Sequence, residues 1–389
     1  MKMSNKNGQA AVSASYFLFF ASIGAYVPYV SIYLSAGGWS GVQIGIFMAI
    51  GPLVTFLTQP LWGYLGDLWG NLPRLCALLV LLAGASALAF AFLPVSPLFF
   101  ALALLMGLFQ GPVSPMLDSM GVRILGQSKN RWGLTRLWGS IGFAAVTLAI
   151  GRAFAQNAKM PLVGYAVVSL LTMFAVLRLP FQWKPGQAKL RGFQFSGLAN
   201  VLRGPFLTFL GAMFLLQLGH FMQSDFLSLV MTDRGASSTI VGLAWSSTAL
   251  VEIPVFLMTI RLLERYSAER LVIWSGVLTV LRLVLFAFSY NPLLMLLVHG
   301  IKGITTAAIL VSVVLIVDRL VPEEYHATGF TLNTAFTATL PQFLAGLIGG
   351  RIYDAWGGTV LFLISAAAAT AGTAAFMLWL RAREKEGSH

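Results

Sequence analysis

Most of the chain alternates between apolar runs of about 20 residues and short polar turns, the pattern of helices that cross a bilayer. It predicts twelve such helices, at 10–34, 42–65, 72–93, 97–122, 133–156, 160–181, 205–231, 238–262, 270–289, 292–319, 327–352 and 357–381. Early connections are short and rich in Gly and Pro, as in Ala36-Gly37-Gly38 and Pro94-Val95-Ser96-Pro97. One connector differs. Gln182 to Arg203 is polar, basic and interrupted by Pro185, Gly186 and Gly192, and it separates the sixth helix from the seventh. The expectation is an all-α integral membrane protein of two pseudo-symmetric six-helix bundles, 1–181 and 204–389, joined by a linker at 182–203.

Composition agrees, because 58% of residues are apolar and only 10% charged, whereas soluble domains carry roughly 25% charged residues. The first apolar run is long enough to span and lacks a cleavage site, so it reads as a membrane helix and not a signal peptide. Basic residues orient the bundle. With the N-terminus inside, Arg152, Lys159, Arg234 and Arg351 fall outside and Arg282 and Lys302 fall within spans, leaving nineteen of the 25 on the inner side. That asymmetry obeys the positive-inside rule and predicts a plasma (inner) membrane protein with both termini cytoplasmic. The net charge of +12 is then a topology signal and no sign of nucleic-acid binding. The single cysteine, Cys76, excludes an intrachain disulfide framework and a Cys-rich metal site. Many of the 39 glycines lie within spans, where small residues let helices approach closely.

Between the second and third helices the chain reads Gly63-Tyr64-Leu65-Gly66-Asp67-Leu68-Trp69-Gly70-Asn71-Leu72-Pro73-Arg74. This resembles the signature loop of the major facilitator superfamily, Gly-x-Leu-x-Asp-x-x-Gly followed by basic residues, here reduced to Arg74. The resemblance implies the major facilitator fold and a conformational-switch role for Gly63, Asp67, Gly70 and Arg74. The equivalent loop at Arg261 to Arg270 lacks the glycines. Gly24-Ala25-Tyr26-Val27-Pro28-Tyr29 and Gln59-Pro60-Leu61-Trp62-Gly63 resemble the lactose permease and its oligosaccharide–proton symporter relatives. Arg136-Leu137-Trp138-Gly139-Ser140 and Leu297-Val298-His299-Gly300 look closest to the phenylpropionate permease group.

Ionisable side chains at bilayer depth cost roughly 2.5–3.5 kcal/mol each on insertion scales, so each is a functional candidate. Asp118 and Arg136 each stand nine residues from Gln127, the middle of the turn between the fourth and fifth helices. Equal distance from a hairpin turn means similar depth, so the two can face each other as a charge-assisted pair. The alternative is a purely structural salt bridge. The resemblance to the lactose permease carries substrate contact to Asp118 and Arg136, and ring stacking on the solute to Phe143; Ser140, in the stretch that resembles the phenylpropionate permease group, is a further substrate-binding candidate. In the second half, Glu252 and Arg282 match a glutamate and an arginine that family symporters use in proton coupling and substrate binding. A carboxylate whose charge partner changes between two conformations can load and release a proton. Where the lactose permease has a glutamate three residues after its histidine, His299 is followed here by Lys302. The proton carrier is therefore expected elsewhere: Glu252 first, with Asp225 and Asp118 as alternatives. Asp225 is the expected partner of Lys302.

No phosphate-binding Gly-x-x-x-x-Gly-Lys loop is present, so ATP is not read as the energy source. The carboxylates lack His or Cys neighbours at metal-ligand spacing. The expected function is non-enzymatic, alternating-access, proton-coupled uptake of a small polar organic solute, a sugar or oligosaccharide or an aromatic carboxylate. It needs no cofactor beyond the proton gradient. The alternative is drug or metabolite efflux by proton antiport, disfavoured by the absence of a Gly-Pro motif on the fifth helix. A receptor or lipid-modifying enzyme would need a constellation or soluble domain that the sequence lacks. Its partners are then the solute, protons and membrane lipids, and most relatives act as monomers.

Overall fold

The computed structural model describes residues 2–93, 96–126, 132–181, 204–322 and 325–386. The linker 182–203 and Gln127, at the middle of the fourth turn, lie outside the described residues, as does the side chain of Asp67. The described secondary structure is helical: α1 Lys2–Tyr26, α2 Val30–Ala36, α3 Gly41–Trp69, α4 Leu72–Phe92, α5 Leu98–Gln110, α6 Val113–Leu125, α7 Trp132–Phe154, α8 Met160–Leu177, α9 Pro205–Asp233, α10 Ser238–Leu263, α11 Ala268–Phe288, α12 Pro292–Leu320, α13 His326–Thr334 and α14 Leu340–Glu386, with a π-helical stretch at Ala335–Thr339 between the last two.

Eleven stretches of the described chain are long and apolar enough to cross a membrane, and the last, Thr328–Lys385, holds 58 residues. At 1.5 Å per residue it would reach about 87 Å, nearly three times the roughly 30 Å of a hydrocarbon core. Gly357 interrupts it with φ 77° and ψ 178°, a conformation that only glycine adopts readily. This stretch thus holds the expected eleventh and twelfth crossings. Pro28 and the Gly111-Pro112 pair similarly break the first and fourth crossings into α1–α2 and α5–α6. The signature segment is not a loop through most of its length. Nothing before Gly70 stops α3, which runs to Trp69. The chain turns at Gly70, with φ 64°, and the Asn71 side chain then caps α4 by accepting from Arg74 N–H at 3.2 Å.

Contacts divide the chain into two compact units. The first comprises Met1–Gly38, Ile50–Lys189 and Ala236–Leu250. In it α1 packs along α7 and α8, and α4 packs along α8, over a core that includes Tyr16, Phe19, Cys76, Met116 and Met120. Ala236–Leu250 joins this unit through hydroxyls that donate to carbonyls, Ser238 to Gly151 at 2.7 Å and Ser246 to Ala144 at 3.0 Å.

The second unit comprises Trp39–Ala49, Leu190–Gly235 and Val251–His389. Here α9 lies along α14, and α11 packs on α12 and α14. Phe209, Phe376 and Trp379 pack edge-on or tilted against one another in its core. Trp39–Ala49 belongs to it because Gly41 and Gly45 meet Gly350 and Gly346 backbone to backbone, so closely that a Cβ on any of the four would collide. Asp354 crowns the seam, accepting from Gly41 N–H at 2.6 Å and Val42 N–H at 2.8 Å, a cap supplied to the N-terminus of α3 from far along the chain. At the end of α9, Arg234 donates to the carbonyls of Phe286 at 2.6 Å, Ser289 at 2.7 Å and Ala287 at 3.3 Å, and to Thr359 Oγ1 at 3.0 Å.

Candidate functional site

Two groups of polar side chains sit at span depth, one in each unit. The first is built on α1, α6 and α7. Asp118 of α6 and Arg136 of α7 are brought together as their spacing predicts, with Arg136 Nε 3.7 Å from Asp118 Oδ1. Bidentate arginine–carboxylate contacts are nearer 2.8 Å, so this pair is loose. Its side chains keep 34% and 33% of their surface exposed. From the buried side Tyr16 Oη donates to Asp118 Oδ1 at 2.6 Å. One turn further along α1, the Phe20 ring lies 5.5 Å beneath the Arg136 guanidinium. Gly139 makes room for that ring, since a Cβ there would stand 2.5 Å from Phe20 Cδ2. Arg136, Ser140 and Phe143 follow at i, i+4 and i+7 and so share one face of α7. Phe143 pairs with Trp245, ring centroids 6.4 Å apart. Tyr16, Phe20 and Trp245 are functional candidates that the sequence did not single out. Only the i, i+4 spacing of Tyr16 and Phe20 on one face of α1 could have pointed to two of them.

The second group draws on α9, α10, α11 and α12. Arg282 is fully buried. It donates to Gln223 Oε1 at 2.9 Å, and its other terminal nitrogen lies 3.5 Å from His220 Nδ1. A guanidinium only donates, so Nδ1 is the acceptor in that contact. The expected Arg282–Glu252 pair gives way here to these two neutral partners, which α9 presents at i and i+3. The next residue, Ser224, accepts from Lys302 Nζ at 2.5 Å. Asp225 and Glu252 both act electrostatically on Lys302, as does Arg282. His299, one turn before Lys302 on α12, is fully buried against Phe286, with centroids 5.9 Å apart. Pro254 sits inside the continuous helix α10, two residues after Glu252. Gln223 and Ser224 were missed because neutral polar residues raise little alarm in a hydropathy profile.

Chemically, the first group offers a donor, an acceptor and aromatic faces to a solute. The second offers two cations, two carboxylates and two imidazoles, a set able to exchange partners and protons. Comparison with known proteins follows from this geometry. Residues 10–364 match the model of the MFS_1 like family. The chain is 28% identical over 344 residues to the maltose permease of Geobacillus stearothermophilus, covering 88% of this chain and 86% of that one. It is 26% identical over 302 residues to the "Probable 3-phenylpropionic acid transporter" of Escherichia coli (strain K12), covering 76% and 74%. Among solved structures, the nucleoside transporter NupG superposes with a TM-score of 0.84 at 18% identity, covering 96% of this chain and 99% of that one. That last likeness speaks to the fold alone.

Proposed function

The chain belongs to the MFS_1 like family and is a multi-pass membrane transporter, not an enzyme; on that premise we propose that it imports a small polyhydroxylated solute together with a proton. The observation that carries this reading is the loose, one-third-exposed Asp118–Arg136 pair held from behind by Tyr16. Sugar hydroxyls both donate and accept, and a carboxylate beside a guanidinium answers both roles at once. Phe143, on the same face of α7, supplies a ring against which the apolar side of a sugar can lie. The similarity to a maltose permease supports the same substrate class. The second polar group is assigned to coupling, with Glu252, Asp225, Lys302, Arg282 and His299 as its members. The proton gradient is the energy source, and no cofactor takes part.

A second reading, import of an aromatic carboxylate, is favoured by the Arg136 guanidinium, which can receive a carboxylate, together with the Phe143–Trp245 ring pair of the same unit. Under either reading, 1–181 and 204–389 act as two bundles joined by a cytoplasmic linker at 182–203. Both termini face the cytoplasm of an inner membrane, a reading that the distribution of basic residues supports, and the protein works as a monomer. The Gly63-to-Arg74 segment serves conformational switching.

A thermal-shift series in detergent separates the substrate classes. A ligand at about 100 times its Kd stabilises by about 2.7 kcal/mol. Maltose is expected to raise the unfolding temperature of the wild type and not of Asp118→Asn. A shift by 3-phenylpropionate alone would replace the sugar reading with the second one.

A further inference from the structure

Within the coupling group the two carboxylates have unequal surroundings, and the geometry points to Asp225 as the residue that carries the transported proton. This deepens the proton-coupled reading given above and rests on it. Asp225 Oδ2 is sealed from solvent and has no hydrogen-bond partner among the described residues. An ionised carboxylate only accepts, and a buried acceptor without a donor is strongly disfavoured. A carboxylic acid in the same place is far less costly, because it is neutral and no buried charge is left uncompensated. This arrangement suits the proton-loaded form better than the ionised one.

Lys302 explains how the proton leaves. Its ammonium donates to Ser224 Oγ at 2.5 Å, one residue along α9 from Asp225, and it lies within electrostatic reach of the Asp225 side chain. Lysine carries three donors on a flexible stem, so a swing of that stem can exchange the Ser224 hydroxyl for the Asp225 carboxylate. In that step the Asp225 O–H bond breaks and the proton passes to water on the open side. The ammonium becomes the partner of the new carboxylate, and no electrons change hands. Reloading reverses it, with Ser224 holding the lysine while Asp225 is neutral.

The other groups around this pair have different tasks. Arg282 is fully buried and tied to Gln223 and His220, and its guanidinium does not deprotonate in proteins. His220 and His299 both lie within electrostatic reach of Lys302 and Arg282. Glu252 also acts electrostatically on Lys302. In this proposal it holds the lysine's charge in place, and Asp225 takes the role that the sequence assigned first to Glu252.

The test is infrared difference spectroscopy of the full-length protein in detergent, titrated with acid and base and requiring no substrate. Wild type is expected to show the carbonyl stretch of a protonated carboxylic acid that disappears as the pH rises. Asp225→Asn should abolish that band, and Glu252→Gln should leave it. Should Asp225→Asn fold poorly, wild type grown with ¹³C-aspartate should show the band displaced, whereas ¹³C-glutamate should leave it unmoved. A band that follows glutamate labelling, one lost only in Glu252→Gln, or no titrating band at all overturns the assignment. Failure of the proton-coupling reading is separately visible. The Asp225 band would be present, while wild-type vesicles transported solute without any movement of protons.

Discussion

Arg234 closes the end of α11, and its loss should be felt by the whole second unit. Helix C-termini leave their last carbonyls without intrahelical donors. Here Phe286, Ala287 and Ser289 receive theirs from one guanidinium, which also bonds Thr359 and lies 4.7 Å over the Tyr290 ring and 5.7 Å over Phe362. Hydrogen bonds to charged groups are worth about 1.5–3 kcal/mol each when buried. Arg234 is only half-buried, so solvent screening reduces each to ~1 kcal/mol or less. Arg234→Met should then cost about 2–3 kcal/mol, of which the interaction of a cation with the helix terminus is ~0.5 kcal/mol. For a chain of this size that corresponds to a fall of about 5 °C in the unfolding temperature. Arg234→Lys keeps the charge but cannot span four acceptors, and should recover less than half of the loss. The assay is thermal unfolding of purified protein in one detergent, followed by loss of the monodisperse elution peak. A Met variant within 1 °C of wild type, or a Lys variant fully equal to it, would refute the capping argument.

Other residues give sharper functional or packing readouts. Tyr16→Phe removes the hydroxyl that bonds Asp118 Oδ1 from the buried side and should weaken solute affinity about tenfold, the equivalent of one hydrogen bond of about 1.4 kcal/mol, without lowering thermal stability comparably; binding titrations would check it. Gly45→Val places carbon atoms into the Gly346 backbone and should cost about 1–3 kcal/mol through overpacking, seen as a lowered unfolding temperature and faster hydrogen exchange at 41–49. Gln223→Leu strips the fully buried Arg282 of its best acceptor, so expression of folded protein should fall sharply, whereas Gln223→Glu should restore folding while altering transport.

Much of this architecture was legible because lipid punishes exceptions. Apolar runs of the right length marked the crossings, including the two that the backbone merges at Gly357. The Asp118–Arg136 contact was legible from equal distance to a turn, a purely geometric argument that needs no knowledge of neighbouring helices. What surrounds the pair was not. Tyr16 and Phe20 look like ordinary apolar filling until α1 is packed against α6 and α7. Arg282 illustrates the other limit. A charge demanded a partner, and the sequence offered Glu252 as the conspicuous one, but α9 supplies neutral Gln223 and His220 instead. Arg234, counted from sequence only as one outer cation, ties together α9, α11 and α14 because its fork reaches four acceptors.

The most direct measurement is accumulation of radiolabelled maltose by proteoliposomes with an imposed pH gradient, alkaline inside. Wild type should concentrate the sugar above its external level and lose that ability when the gradient is collapsed by an ionophore. Asp118→Asn and Arg136→Gln, eluting like wild type, should transport none in either condition. Accumulation indifferent to the gradient would contradict proton coupling, and undiminished uptake by both variants would contradict the placement of the solute at Asp118 and Arg136.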